Sequence, residues 1–168
     1  MLKRVLAYGL PAIALFICVW ATRVFLAVEV VALFMPMSGL LAIAAVAAVG
    51  GLLPSVPLGL AYGMIHPRPI ASIALTIAAA ACVLELAFAS LTVPWWSFLT
   101  WWVLPTECLV VLAVFPMAAG FGSHLFSRSN PLVRRRVGIG VFVFLVLCAL
   151  GGPWVYGCIH ADACGIGF

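Results

Sequence analysis

Three glutamates stand in apolar surroundings where an ionised side chain is expensive: Glu29 in "AVEVVAL", Glu85 in "VLELAF" and Glu107 in "LPTECLV". A charged group at the centre of a bilayer costs about 2.5–3.5 kcal/mol on insertion scales, so each needs a partner or a task. Arg23 is the nearest basic residue to Glu29. Six positions apart on a helix, the two lie about 120° from one another and form no natural pair, so Arg23 is expected to meet Glu85 or Glu107 from another helix. Carboxyls grouped in this way can take up a proton, a cation or an amine, or act as general acid and base. The structural alternative is an interhelical hydrogen-bond cluster that fixes packing alone. With three carboxyls against one guanidinium, at least one glutamate is expected to keep its proton at neutral pH.

The six cysteines divide by location. Cys18, Cys82, Cys108 and Cys148 fall in apolar runs, where a thiol usually serves as a small apolar filler. The terminal "CIHADAC" carries Cys158 and Cys164, which on the exterior side of a membrane are expected to form a disulfide. Its alternating Cys158, His160, Asp162 and Cys164 resemble four metal ligands in a row, but an extended segment spreads them over about 20 Å, too far for one tetrahedral ion. His66 and His124 each stand beside a turn and an arginine region and read as interfacial residues. No C-x-x-C pair, G-x-S-x-G, phosphate-binding loop or H-E-x-x-H is present, so neither a metal nor a cofactor is expected and catalysis has no identifiable nucleophile.

The elements that must position these groups follow from composition. Of 168 residues, 67% are hydrophobic and 7% charged, with a mean hydropathy of +1.34. That balance leaves too little polar surface to cover a soluble domain. The apolar runs are long enough to cross about 30 Å of hydrocarbon as helices of roughly 20 residues, and the alternation of a membrane barrel is missing. The expected class is an all-α, polytopic integral membrane protein in a single helical bundle. Five spans are drawn at about 5–22 (extending as far as 29), 38–64, 70–91, 103–125 and 137–156, with 157–168 a short exterior tail; six spans rank second. The first apolar run lacks a small-x-small cleavage site and is expected to be retained.

Charge orients the chain. The formal charge of +4 comes from basic residues placed between apolar runs and not on a soluble face, so nucleic acid is not an expected partner. Lys3, Arg4, Arg68, Arg128, Arg134, Arg135 and Arg136 fall on one side when five spans are threaded, leaving Arg23 alone on the other. The amino terminus is then cytoplasmic and the carboxyl terminus exterior or periplasmic. The usage of alanine, glycine, valine, arginine and proline matches a GC-rich bacterial gene, which places the chain in a bacterial inner membrane.

The third span sets Glu85 on a face with Ala78, Ala81, Cys82, Ala89 and Thr92, opposite Ile73, Val83, Leu84 and Leu91. Glu85 is therefore expected to face the bundle, roughly 9 Å below its outer end, with Glu107 roughly 6 Å down the fourth span. In the outer loop between them, "VPWWSFLTWWVLP" supplies Trp95, Trp96, Trp101 and Trp102 as an interfacial girdle. The second span, with Gly50, Gly51, Pro54 and Pro57, reads as a central, kinked helix, and Gly59 and Gly63 form a G-x-x-x-G pair assigned to internal packing. The functional expectation is a small transporter-like or accessory subunit with an intramembrane carboxylate site near the outer leaflet, formed by Arg23, Glu29, Glu85 and Glu107. Its partners are the lipid bilayer, other membrane subunits or a second copy. The alternatives are a non-catalytic scaffold or assembly protein and, third, a lipid-acting membrane enzyme.

Overall fold

The computed structural model describes residues 8–23, 39–66, 71–92 and 103–160. All of its regular structure is helical: α1 (Tyr8–Arg23), α2 (Gly39–Ile65), α3 (Ala71–Thr92), α4 (Leu104–Leu125) and α5 (Pro131–His160). Three of these are long and apolar enough to cross a membrane, namely α3, α4 and the Ala44–Ile65 part of α2. Helix α5 extends past the expected 137–156 at both ends. Glu29, Trp95, Trp96, Trp101, Trp102, Cys164, Lys3, Arg4 and Arg68 lie outside the described residues, as does the side chain of Cys158.

Three threonine hydroxyls bond back to carbonyls of their own helices. Thr22 donates to the Cys18 carbonyl at 2.7 Å, Thr76 to Ser72 at 2.7 Å and Thr92 to Phe88 at 2.8 Å. Each side chain therefore satisfies itself on its own helix without needing water. Two residues define the start of α5: the Asn130 side chain accepts from the Leu132 N–H at 3.0 Å, and Pro131 fills the first helical position, where its missing donor is no loss. Pro105 uses the same freedom in the first turn of α4.

Helix α2 packs most extensively against α4 and also meets α5, while α3 lies on α4. Glycine makes the α2–α4 approach possible. A Cβ at Gly59 would fall 2.8 Å from the Phe115 carbonyl oxygen, and one at Gly122 would fall 2.7 Å from that of Leu60. The G-x-x-x-G pair is thus spent on packing inside the bundle, where backbone contact replaces side-chain contact. The core runs through Leu15 and Val19 of α1, Leu58 and Tyr62 of α2, Ile77 and Ala81 of α3, and Val111 and Phe115 of α4.

Large apolar side chains also cover the outside: Leu91 is 86% exposed, and Met117, Leu109, Val83 and Phe144 are exposed as well. A surface of this kind suits lipid and not water. On α3 the buried face holds Ala78, Ala81, Cys82, Glu85 and Ala89, with Val83, Leu84 and Leu91 turned outward. Two members of the expected faces behave differently. Thr92 is exposed at the last position of α3, and Ile73 is partly buried against the core.

Candidate functional site: a buried arginine between two glutamates

Three helices converge at one side chain. From α1, the Arg23 guanidinium reaches Glu85 on α3, Nη1 to Oε1 at 2.5 Å, and donates from Nε to Glu107 Oε2 on α4 at 2.8 Å. A second donor, Nη2, also contacts Glu107 Oε2. The carboxyls are almost sealed, Glu85 being 3% and Glu107 1% exposed. Charge-assisted hydrogen bonds of this type are about twice as strong as neutral ones, but they must also offset the desolvation of every ion involved.

Local sequence explains how each group arrives. Glu107 stands in the first turn of α4, where the positive end of the helix dipole favours a carboxylate. Glu85 lies on the alanine-rich stripe of α3, whose small residues let α1 and α4 come close. Arg23 is carried by α1, which is fixed against α3 by aromatic contacts. Phe16 meets Phe88 edge-on with ring centroids 5.7 Å apart, and Trp20 meets the same ring at 5.9 Å. On the fourth side Gly50 of α2 leaves the space that the Glu107 carboxyl occupies, since a Cβ there would lie 2.7 Å from Oε1.

The hydrogen bonding is incomplete. Glu107 Oε2 takes both Arg23 contacts while Oε1 has no hydrogen-bond partner. Glu85 meets the guanidinium as an ion pair without hydrogen-bond geometry, so neither of its oxygens is satisfied in that sense. The space beside them is a void of about 10 Å³ bordered by Phe16, Val19, Cys82, Glu85, Glu107 and Cys108. That volume sits at the lower limit for a single water molecule.

Of the four residues expected to form the polar site, the structure brings together Arg23, Glu85 and Glu107; Glu29 is outside the described residues. Several neighbours were not anticipated. The Cys82 thiol packs on Cys108 and donates to its carbonyl at 3.7 Å, so two of the expected fillers sit at the edge of the charged junction. Gly50 receives a carboxyl, a role that its pairing with Gly51 signals only as closeness to a neighbour. Arg134 is buried and donates from Nη1 to the Phe126 carbonyl at 3.1 Å, closing the end of α4; nothing in "VRRR" distinguishes it from its exposed neighbours Arg135 and Arg136. A larger apolar cavity of about 300 Å³ lies elsewhere, between α1, α2 and α5, bordered by Cys18, Thr22, Pro54, Pro57, Cys148 and Gly152.

His66 and His124 stand near the ends of α2 and α4, and among the described residues no three His, Cys, Asp or Glu side chains converge as a metal-ligand set. Comparison with protein-family models, with curated proteins and with solved structures yields no match, so the functional reading rests on this geometry.

Proposed function

We propose that this chain is a non-catalytic accessory or scaffold protein of a bacterial inner membrane, and that Arg23, Glu85 and Glu107 form the clamp holding its helices together. The reading includes five spans, with α1 and α5 crossing alongside α2, α3 and α4, the amino terminus cytoplasmic and the carboxyl terminus exterior. One observation carries it: both carboxyls converge on Arg23, and the void beside them among the described residues is about 10 Å³. A transport site must admit and release its solute, and a junction this full has no room for one larger than water. An interhelical ion cluster instead does its work by staying closed.

The clamp reading is tested by unfolding in mixed micelles. Removing one partner of a buried ion cluster typically costs about 3–5 kcal/mol, because the remaining charge is left uncompensated. Arg23→Ala is expected to lose stability of that order. The triple replacement of Arg23, Glu85 and Glu107 by leucine is expected to recover most of it, since well-packed apolar residues often equal or exceed a buried ion pair. An Arg23→Ala protein as stable as the parent overturns the clamp.

A transporter-like second reading is favoured by a different feature, the apolar cavity of about 300 Å³ beside Pro54 and Pro57. Proline inside a spanning helix frees backbone carbonyls that neighbours must satisfy, which is one way a helix acquires two packings. In that case Glu85→Gln or Glu107→Gln abolishes solute movement while leaving the fold intact.

A further inference from the structure

We infer that the Arg23–Glu85–Glu107 junction is a binding site for one proton, held on a carboxyl as part of the clamp proposed above, on which this inference rests. Charges confined to a closed space must come close to balance. One guanidinium and two carboxylates sum to a net charge of −1, at side chains of which Glu85 is 3% and Glu107 1% exposed. An uncompensated charge in such surroundings is strongly unfavourable, and a buried group neutralises itself in preference to bearing it.

The compensating charge has few sources. From α1 the facing ionisable group is Arg23; from α3 they are Glu85 and Cys82; from α4, Glu107 and Cys108. Helix α2 presents Gly50 at this level and no ionisable side chain, and the arginines of α5 stand together at that helix's opposite end, in its first turns. No second cation therefore faces the pair among the described residues. A metal cation requires a shell of several oxygen ligands, and a hydrated one requires volume. The void of about 10 Å³ supplies neither. A proton needs no space, and two carboxyl oxygens there, Glu85 Oε2 and Glu107 Oε1, have no hydrogen-bond partner and no contact with the guanidinium. They are the places where it resides. The resulting unit, one guanidinium, one carboxylate and one carboxylic acid, is neutral.

Infrared spectroscopy of the full chain in phospholipid vesicles at neutral pH tests this directly. The expected spectrum contains the C=O stretch of one protonated carboxyl in a non-aqueous environment, displaced when the glutamates carry carbon-13. The band is expected to vanish in Glu85→Gln and equally in Glu107→Gln, because either change leaves one guanidinium facing one carboxylate. It is expected to persist in Glu29→Gln. A parent spectrum with every carboxyl ionised overturns the proposal without needing any variant to fold, and so does a band that survives in either single variant. The clamp fails separately: an absent band together with a destabilised Arg23→Ala protein refutes the proton and keeps the clamp, whereas a present band with an unaffected Arg23→Ala protein removes the clamp on which the site depends.

Discussion

Arg23 turns three helices into one unit because its guanidinium offers several donors in a fixed plane, and a lysine at that position would meet one carboxyl well and the other poorly. Beyond this junction stands His66, just past α2, whose ring lies 4.6 Å from that of Tyr62. Although the residue is exposed, packing on Tyr62 partly desolvates it, and this burial together with the nearby Arg135 charge holds its pKa below the usual value. The unfolded chain therefore binds more protons there than the folded one, and stability rises with pH. The contribution is complete above about pH 6.5, the ordinary histidine value, and is lost as pH falls below it. Replacing His66 by Asn is expected to flatten the slope of unfolding free energy between about pH 7 and pH 5. The change amounts to a small fraction of the ~1.4 kcal/mol per pH unit that one full proton carries, since solvent screens an exposed ring. A slope unaltered by the substitution removes His66 from the pH response.

The helices approach one another on glycine and alanine, and that makes their packing sharply position-dependent. At Gly63 an added Cβ would fall 2.7 Å from the Ser123 nitrogen and 3.1 Å from the Ala119 carbonyl carbon, both backbone atoms that cannot turn aside. Gly63→Ala is expected to lose about 1–3 kcal/mol by overpacking. Among the described residues nothing lies within 4 Å of a would-be Cβ at Gly120 on α4, so Gly120→Ala is expected to be neutral or to gain up to about 1 kcal/mol from helix propensity. Thermal unfolding of the two variants in one detergent separates them, and equal effects would mean that α2 and α4 are not in backbone contact. The sequence displayed this interface as a spacing, Gly59 to Gly63, and displayed the buried face of α3 as an alanine stripe with Glu85 upon it. Both are periodic, and a helix has only one way to present a period. What the sequence concealed was pairwise: that Gly50 seats Glu107, that Cys82 meets Cys108, and that Arg134 turns back to cap α4. Such contacts depend on the rotation of one helix against another, which no pattern within a single helix records.

At the scale of the molecule, an apolar exterior is combined with a charged junction inside, so the bundle inverts the arrangement of a water-soluble protein. Orientation then rests on groups outside the apolar runs. Seven of the eight Lys and Arg side chains fall on one side of a five-span threading, but they are not equivalent. Arg134 is buried and hydrogen-bonded to Phe126, whereas Arg128, Arg135 and Arg136 are exposed beside the α4–α5 turn. The last three are free to resist translocation, while Arg134 is held as part of the fold. Alkaline phosphatase fused at the carboxyl terminus is expected to be active in the parent, as an exterior tail requires, and a fluorescent protein at the same position dark. Replacing Arg128, Arg135 and Arg136 together by Gln withdraws three of the seven retained charges and is expected to give a mixed population, with phosphatase activity reduced and fluorescence gained. Replacing Arg134 alone is expected to lower stability through the lost cap with no change in orientation. An inactive phosphatase on the parent tail would refute the five-span threading, and a topology that follows Arg134 and not its three exposed neighbours would refute the division of labour among them.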